Sequence, residues 1–411
     1  MNFFLILGII ILLEFFRNVF ITNYNIFYSY FWIKNERRKF KIRDPKKRIH
    51  IIIPIFNEEK IIDKTLKYFK KINYPFLKIY IVTTKKEKEL DETINKLSKY
   101  LGSDKVYHIH YPFSIGDKAS QINFAVKNIK IKEEDYIAIY DVDSRPEKNT
   151  FWYVGSDSQD SDIYQQFSLY FKDFNKIPYI SKAGSFLQTR WSFGYELKKA
   201  INNSPLVYCI GHGLFIKKKV FDDLGGFPED SLAEDLSFGY WASSNGVKIK
   251  PIPFFDNAEY APDFKSAVVQ SSRWFGGETE SYKRIDFKKR KIWNTLFFIK
   301  RAYEISHWII GPPLFALIFV YFITSKSSLL IGLSFAFLFF LIMPWYVLLL
   351  LKKDFFREIS NERLIFNKLI IVYFLYLKYL LNFIGPIYFL YLKTKTFLNS
   401  NEIPFIKTKR I

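Results

Sequence analysis

The sequence predicts a mainly parallel, doubly wound α/β domain carried between membrane-spanning helices at both ends of the chain. Two observations predict it. Through the middle, short runs rich in Ile, Val and Tyr alternate with helical patterns, the order that builds a parallel sheet covered by helices. Outside that region lie long uncharged stretches: residues 305–325 and 327–351 are separated only by Lys326. Each is long enough to cross a hydrocarbon core of about 30 Å at about 1.5 Å per residue, and neither has a polar face.

At the N-terminus, residues 3–13 are fully apolar, and Glu14 and Arg17 precede an aromatic stretch over 18–33. On a helix these two charges stand i,i+3 and can pair, which lowers the cost of both in a membrane. A cleaved signal peptide wants a positive start and a small-residue cleavage site; the opening MNFF has neither, so the segment reads as a retained anchor. Residues 369–392 carry Lys378 in their middle and Gly385-Pro386 in their second half. They read as a tilted span, or as a broken helix lining a cavity or lying at the interface.

The chain carries 61 Lys and Arg against 40 Asp and Glu, a formal net charge of +21. The distribution of that charge argues against nucleic acid as a partner. Lys34, Arg37, Arg38, Lys39, Lys41, Arg43, Lys46, Lys47 and Arg48 are opposed only by Glu36 and Asp44, and a second basic block runs over 283–291, followed by Lys300 and Arg301. Both blocks flank the central region, so the excess reads as topogenic and lipid-facing and places that region in the cytoplasm of a multi-pass protein of the cell membrane. Counting four spans would put the basic tail, 393–411, outside, which favours a non-spanning fourth segment or marks an exception to the positive-inside rule. A single cysteine, Cys209, permits no intramolecular disulfide and no Cys-ligated metal cluster, in keeping with a reducing compartment.

Within the centre, strands are expected at 50–55, 78–83, 106–110 and 136–140, and helices at 58–71, 90–100 and 117–129. Ligands of such a sheet gather at the carboxyl ends of its strands. The first strand runs into Pro54-Ile-Phe-Asn57-Glu58-Glu59, where Asn57 suits the helix cap and the acidic residues suit its positive end. The fourth runs into Asp141-Val-Asp143-Ser144, whose carboxylates at i and i+2, leaving an extended segment, can share a hard divalent cation with phosphate oxygens. Lys118 opens a helix whose dipole it opposes, and a nearby phosphate would explain it as well as solvent does.

Further along, His212 lies between Gly211 and Gly213, as it would where backbone approaches a ligand or simply turns. Glu234-Asp235 reads either as a helix start or as the seat of a general base. Gln270, Arg273 and Trp274 fall on one helical face, suited to a diphosphate and a sugar ring or to a membrane surface.

Taken in order, PIFNEE, GDKASQIN, DVDS, the GHG to GGFP stretch, AED and QSSRW resemble the membrane-integrated glycosyltransferases of family 2. This is the inverting GT-A group that includes cellulose, chitin and hyaluronan synthases. The resemblance covers about residues 48–280 and implies a nucleotide-sugar donor, with UDP as the favoured nucleotide, and a growing polysaccharide or lipid-linked acceptor. It implies that Asp141 and Asp143 hold the diphosphate and a Mg²⁺ or Mn²⁺ ion, with Asp143 on the metal, and that Asp235 is the general base. Pro54, Asn57, Glu58 and Lys118 would line the donor site, Gln270 and Arg273 would steady the leaving diphosphate, and Trp274 would pack near the acceptor sugar. Where the family's second strand commonly ends in an acidic pair, this chain has Thr83-Thr84-Lys85-Lys86-Glu87, so the nucleobase must meet another group, with Thr83, Thr84 and Glu87 as candidates.

The expected division is a membrane anchor over 1–33, the GT-A domain over 34–275, a basic interfacial segment over 276–303, transmembrane helices over 304–392 and the basic tail. Membrane lipids and further polysaccharide-assembly proteins are the other expected partners. A single-transfer enzyme acting on a glycolipid or polyprenyl phosphate shares every motif. A catalytically silent glycan-binding scaffold is disfavoured, because all the expected carboxylates are present.

Overall fold

The computed structural model describes residues 3–85, 90–102, 105–114, 116–156, 160–324, 331–332, 334–335, 365 and 367–399. Its centre is a seven-stranded sheet in the order β3-β2-β1-β4-β6-β5-β7. β1 (Ile49–Pro54), β2 (Leu77–Thr84), β3 (Val106–Tyr111) and β4 (Tyr136–Ile139) are the four strands expected from the sequence, all parallel to their neighbours. β5 (Ile163–Lys172), β6 (Leu214–Lys217) and β7 (Ile249–Glu259) extend the sheet; β6 runs antiparallel between β4 and β5, and β7 pairs parallel with β5.

Alternation along β1 divides the core. Ile51 and Ile53 face a cluster with Ile62, Leu66 and Phe69 of α2 (Glu59–Lys70) and Leu97 of α3 (Leu90–Ser98). Ile52 faces the opposite cluster, with Ala119, Ile122 and Ala125 of α4 (Lys118–Asn128). The chain winds outward from β1 to β3 and returns to β4 on the other side of β1. That reversal opens a crevice at the carboxyl ends of β1 and β4, where a doubly wound sheet binds its ligand.

Two local expectations are corrected. The cap position of α2 falls on Glu58, and Asn57 takes left-handed backbone (φ 52°), a conformation Asn tolerates better than most residues, to turn the chain off β1. Asp141 to Ser144 is a turn closed by Ser144 N–H donating to the Asp141 carbonyl (3.1 Å), not an extended segment. α2 holds that turn from below, Thr65 donating to the Val142 carbonyl and Tyr68 to the Pro146 carbonyl.

Of the helices, α1 (Phe3–Lys39) contains the expected Glu14–Arg17 pair (2.5 Å), and Tyr303 donates to the same carboxylate (2.9 Å). Its second half belongs to the α/β domain: Ile26 and Ile33 are fully buried in the core, and Ser29 donates to the Phe193 carbonyl (2.9 Å). α5 (Asn149–Ser156) covers one face of the sheet, and α6 (Tyr179–Trp191) passes through a π-turn (Ser192–Leu197) into α7 (Lys198–Ile201) on the other. α8 (Lys218–Asp223) and α9 (Glu234–Ser244) precede β7, and α10 (Phe264–Ser281) follows it.

Then come α11 (Lys291–Thr324), α12 (Lys368–Leu380) and α13 (Ile384–Asn399). Among the described residues, three helical stretches are long and apolar enough to cross a membrane: Ile6–Lys39, Lys291–Tyr321 and Lys368–Thr396. The expected span 305–325 lies almost wholly in α11, whereas 327–351 falls outside the described residues but for four positions. The 369–392 stretch is broken at 381–383, just before Gly385-Pro386, which sit in the first turn of α13 where Pro is tolerated.

Not every charge in the basic blocks faces lipid. Arg37 is tied to Glu147 (2.5 Å) and to the Pro253 carbonyl (2.7 Å). Arg301, buried on α11, pairs with Glu278 of α10 and Glu304 (2.9 Å) and lies over the rings of Tyr195 and Tyr208. These two arginines fasten α1 and α11 to the domain. Removing one partner of such a pair strands a buried charge, so Glu278→Ala should destabilise the protein by about 3–5 kcal/mol. Replacing both, as Glu278→Leu with Arg301→Met, should restore most of the loss in detergent-solubilised thermal unfolding.

Candidate active site

Four side chains from three parts of the chain meet at the switch point of the sheet. Lys118, first residue of α4, donates from Nζ to Asp141 Oδ1 (2.8 Å) and to the Gly211 carbonyl (2.7 Å), and stands 3.8 Å from Glu234 Oε1. Asp235 reaches the same point from the start of α9. A methyl group on Gly211 would lie 2.8 Å from Asp235 Oδ2 and 3.0 Å from Lys118 Nζ. Gly211 is therefore required by the packing of charged groups against the loop, which answers what the sequence left open about the GHG stretch.

The electrostatics follow from three carboxylates around one ammonium. Burial disfavours the charge on Lys118, but Asp141, Glu234 and Asp235 together raise its pKa. Burial raises Glu234, and the adjacent Asp235 carboxylate adds to it. Asp235 is also raised, by burial first and by Asp141, with Lys118 opposing. A carboxylate lifted out of the ordinary range and kept in reach of a site is suited to accept a proton.

The acidic turn after β4 supplies hard oxygen donors. Asp143 is buried, its carbonyl accepting from Lys172 (2.8 Å). Among the described residues no three His, Cys, Asp or Glu side chains converge to hold a metal ion. This fits Mg²⁺ or Mn²⁺ carried on one or two carboxylates and completed by substrate phosphates, rather than a full protein cage.

α4 also fixes the loop that leads to α9. Asn123 donates to the Phe227 carbonyl (2.8 Å) and accepts from Phe227 N (2.9 Å), while Glu229 accepts from Ser120 (2.9 Å) and Asn123 (2.9 Å). The GDKASQIN and GGFPED stretches are thus two halves of one support, a role for Ser120, Asn123 and Glu229 that the sequence reading missed.

α10 comes in from the other side. A methyl on Gly277 would lie 2.4 Å from Ala233 Cβ, so this helix lies against the turn that bears Glu234 and Asp235. Gln270, Arg273, Trp274 and Gly277 follow at i, i+3, i+4 and i+7, which puts the three half-buried side chains on the helix face turned to that turn. Pro54, Asn57 and Glu58 lie at the carboxyl end of β1, across the crevice from Asp141. Thr83 and Thr84 are buried, and the Thr83 hydroxyl is taken by His108 Nε2 (2.8 Å) and His110 Nδ1 (3.1 Å). Glu87 lies outside the described residues.

His212 and Asp256 were not expected to form a pair. His212 Nδ1 is 3.1 Å from Asp256 Oδ2, and Asp256 is fully buried. Burial opposes charge on the imidazole, but the Asp256 hydrogen bond and the Asp256 and Asp141 charges prevail and raise it.

The mainly parallel sheet, with an acidic turn, a lysine and a carboxyl pair at its switch point, has the GT-A type of fold. Residues 136–352 match the family described as Glycosyl transferase family group 2, more than half the chain, and the chain belongs to that family; it is a glycosyltransferase. It is 24% identical over 390 residues to "Probable glycosyltransferase YdaM" of Bacillus subtilis (strain 168), covering 88% of this chain and 87% of that protein. The fold is similar to that of the mannosyltransferase PcManGT from Pyrobaculum calidifontis, solved in complex with GDP-Man and Mn2+. The TM-score is 0.55 at 15% identity, over 93% of this chain and 98% of that one.

Because Gly211 has no room for a side chain, Gly211→Ala should push the Asp235 carboxylate and the Lys118 ammonium apart. Displacing a reacting group by about 1 Å costs on the order of 10²-fold in rate. The expected outcome is that loss in sugar transfer with thermal unfolding close to wild type.

Proposed function

We propose that this protein is an inverting, metal-dependent glycosyltransferase that moves a sugar from a nucleoside-diphosphate donor to a lipid-linked or growing glycan acceptor at the cytoplasmic face of the cell membrane. The observation that carries the reading is the convergence of Lys118, Asp141, Glu234 and Asp235 beside the α10 face of Gln270, Arg273 and Trp274. Support for the donor and the metal comes from the similar mannosyltransferase, which binds GDP-Man and Mn2+. Three stretches able to cross a membrane and the flanking basic blocks support the location. On this reading the anchor spans 1–33, the GT-A domain 34–275 and the transmembrane helices 304–392.

In this mechanism Asp141 and Asp143 seat the diphosphate, and Asp143 would hold a Mg²⁺ or Mn²⁺ ion, which would supply charge neutralisation there. Pro54, Asn57 and Glu58 border the nucleotide at the end of β1. Lys118 holds Asp141 and the Gly211 loop in place. Asp235 takes the proton of the acceptor hydroxyl as its oxygen bonds to the anomeric carbon. The bond from that carbon to the diphosphate oxygen breaks on the opposite side, which inverts the centre, and Gln270 and Arg273 steady the departing diphosphate. Trp274 offers its ring to the acceptor sugar.

The direct experiment is incubation of membranes with radiolabelled UDP- and GDP-sugars and Mn²⁺, followed by sizing of the product. Incorporation that depends on metal is the expected result; no incorporation from any donor would overturn the reading. Asp235→Asn keeps the shape of the side chain and loses the base, so donor binding should persist while transfer falls by roughly 10²- to 10⁴-fold. Asp143→Ala should abolish the metal dependence of donor binding, measured by titration with and without chelator. The base works only when ionised, and Lys118 holds the pKa of Asp235 down. Lys118→Met should therefore move the acidic limb of the pH–rate profile to higher pH.

A further inference from the structure

The proposed mechanism makes no use of His212, yet the chain fixes it on every side. Ile210 N donates to Gln165 Oε1 (2.8 Å), Gln165 Nε2 donates to the His212 carbonyl (3.0 Å), and Gln166 N donates to the Gly213 carbonyl (2.7 Å). The backbone before, at and after the histidine is thereby held on β5. Its side chain is fixed as firmly. Nδ1 stands 3.1 Å from Asp256 Oδ2 and 3.5 Å from Ser168 Oγ, and Asp256 Oδ1 accepts from Arg145 N (2.6 Å). Arg145 follows the acidic turn, so Asp256 ties that turn to the imidazole.

The surroundings say what the fixed ring is for. Asp141 and Lys118 both act electrostatically on His212, and Gly211, its neighbour in sequence, is packed against Asp235 and Lys118. The ring therefore adjoins the cluster of Lys118, Asp141 and Asp235, where on the proposed reading the transferred sugar sits between its diphosphate and its acceptor. The side chain is 13% exposed, and among the described residues no protein group partners Nε2.

We propose that His212 is a donor-sugar residue: Asp256 faces Nδ1 and orients the ring, and Nε2 hydrogen-bonds a hydroxyl of the hexose carried by the nucleoside diphosphate. This rests on the proposed function above. A ring so rigidly placed selects a sugar by the position of one hydroxyl, since a donor lacking that oxygen leaves a buried ring nitrogen unpaired.

The test uses the full-length protein in detergent with Mn²⁺, titrated with UDP- and GDP-hexoses and with UDP and GDP alone. In His212→Ala, affinity for the hexose nucleotide that wild type binds should fall about 10- to 100-fold, as expected when a buried hydrogen bond is lost and its partner left unpaired, while affinity for the matching nucleoside diphosphate stays within about twofold. His212→Gln, which keeps a hydrogen-bonding side chain, serves where the alanine variant unfolds and should show a smaller loss of the same kind. Monodeoxy hexose nucleotides complete the test: wild type should lose affinity for the analogue lacking the contacted hydroxyl, and the variant should no longer distinguish it from the parent. Unchanged hexose-nucleotide affinity would overturn the proposal, as would an equal loss for nucleotide and nucleotide sugar, or weakened Mn²⁺ binding. A wild-type protein that binds nucleoside diphosphates but no hexose nucleotide would instead overturn the functional reading on which it rests.

Discussion

One ammonium among three carboxylates organises this molecule. Without Lys118, Asp141, Glu234 and Asp235 would confront one another at the mouth of a largely buried crevice, and like charges at such separation cost several kcal/mol at the low effective dielectric of a protein interior. The fold therefore brings the first residue of α4 to the carboxyl end of β4 and to the Gly211 carbonyl. The net negative charge left over suits a site that accepts a cation and then a cation-bound diphosphate. A site already neutral would have no such preference. Burial raises the pKa of Asp235 and the Asp141 charge adds to it, which on the proposed reading gives a proton acceptor its basicity.

Holding the cluster in place takes support from beyond the sheet. Asn123 and Glu229 fasten the loop before α9 to α4, and α10 closes on Ala233 from the opposite side. α10 in turn is packed against α13 with almost no space between: a methyl on Gly385 would lie 2.4 Å from Ser271 Oγ, and one on Gly276 would lie 2.4 Å from the Phe389 ring. Small residues at such crossings let two helices approach closely and transmit displacement between them, because a close-packed contact has no slack. The helix assigned to diphosphate and acceptor is thus clamped between the carboxylate turn and a helix of the candidate membrane region.

How much of this could be read in the sequence depended on how local the signal was. The Ile-rich strands β1 to β4 and the helices between them were legible because each carries its own periodicity. β5, β6 and β7 were not marked. β6 has four residues, β5 is buried along nearly its whole length and so lacks alternation, and β7 contains Pro251 and Pro253, which are admissible because β7 lies at the sheet edge. Lys118, Asp141 and Asp235 stood out as chemistry-bearing residues in short motifs. The pairing of His212 with Asp256 did not, since 44 positions separate two residues that only the sheet brings together. Asn57 was misread for a related reason: an Asn before a helix signals a cap, but the same side chain tolerates the left-handed turn that the end of β1 required.

The basic excess follows the same logic of paired and unpaired charge. Most of the lysines and arginines flanking the domain are exposed or half-buried, and these can serve an anionic membrane surface. Arg37 and Arg301 are different, each buried and each matched to a glutamate of the domain, Glu147 and Glu278. Arginine suits both positions, because its planar guanidinium can meet a carboxylate and aromatic rings at once: Arg37 lies over two aromatic side chains and Arg301 over three. Glu278 lies one residue beyond Gly277 on α10, so the pair that fastens α11 also fixes the helix that carries Gln270, Arg273 and Trp274. On the proposed reading, the apolar helices therefore do more than keep the enzyme near its acceptor. They set the angle at which the diphosphate and acceptor side chains meet Asp235, so that a shift of α11 or α13 relative to the sheet would reach the reacting atoms directly.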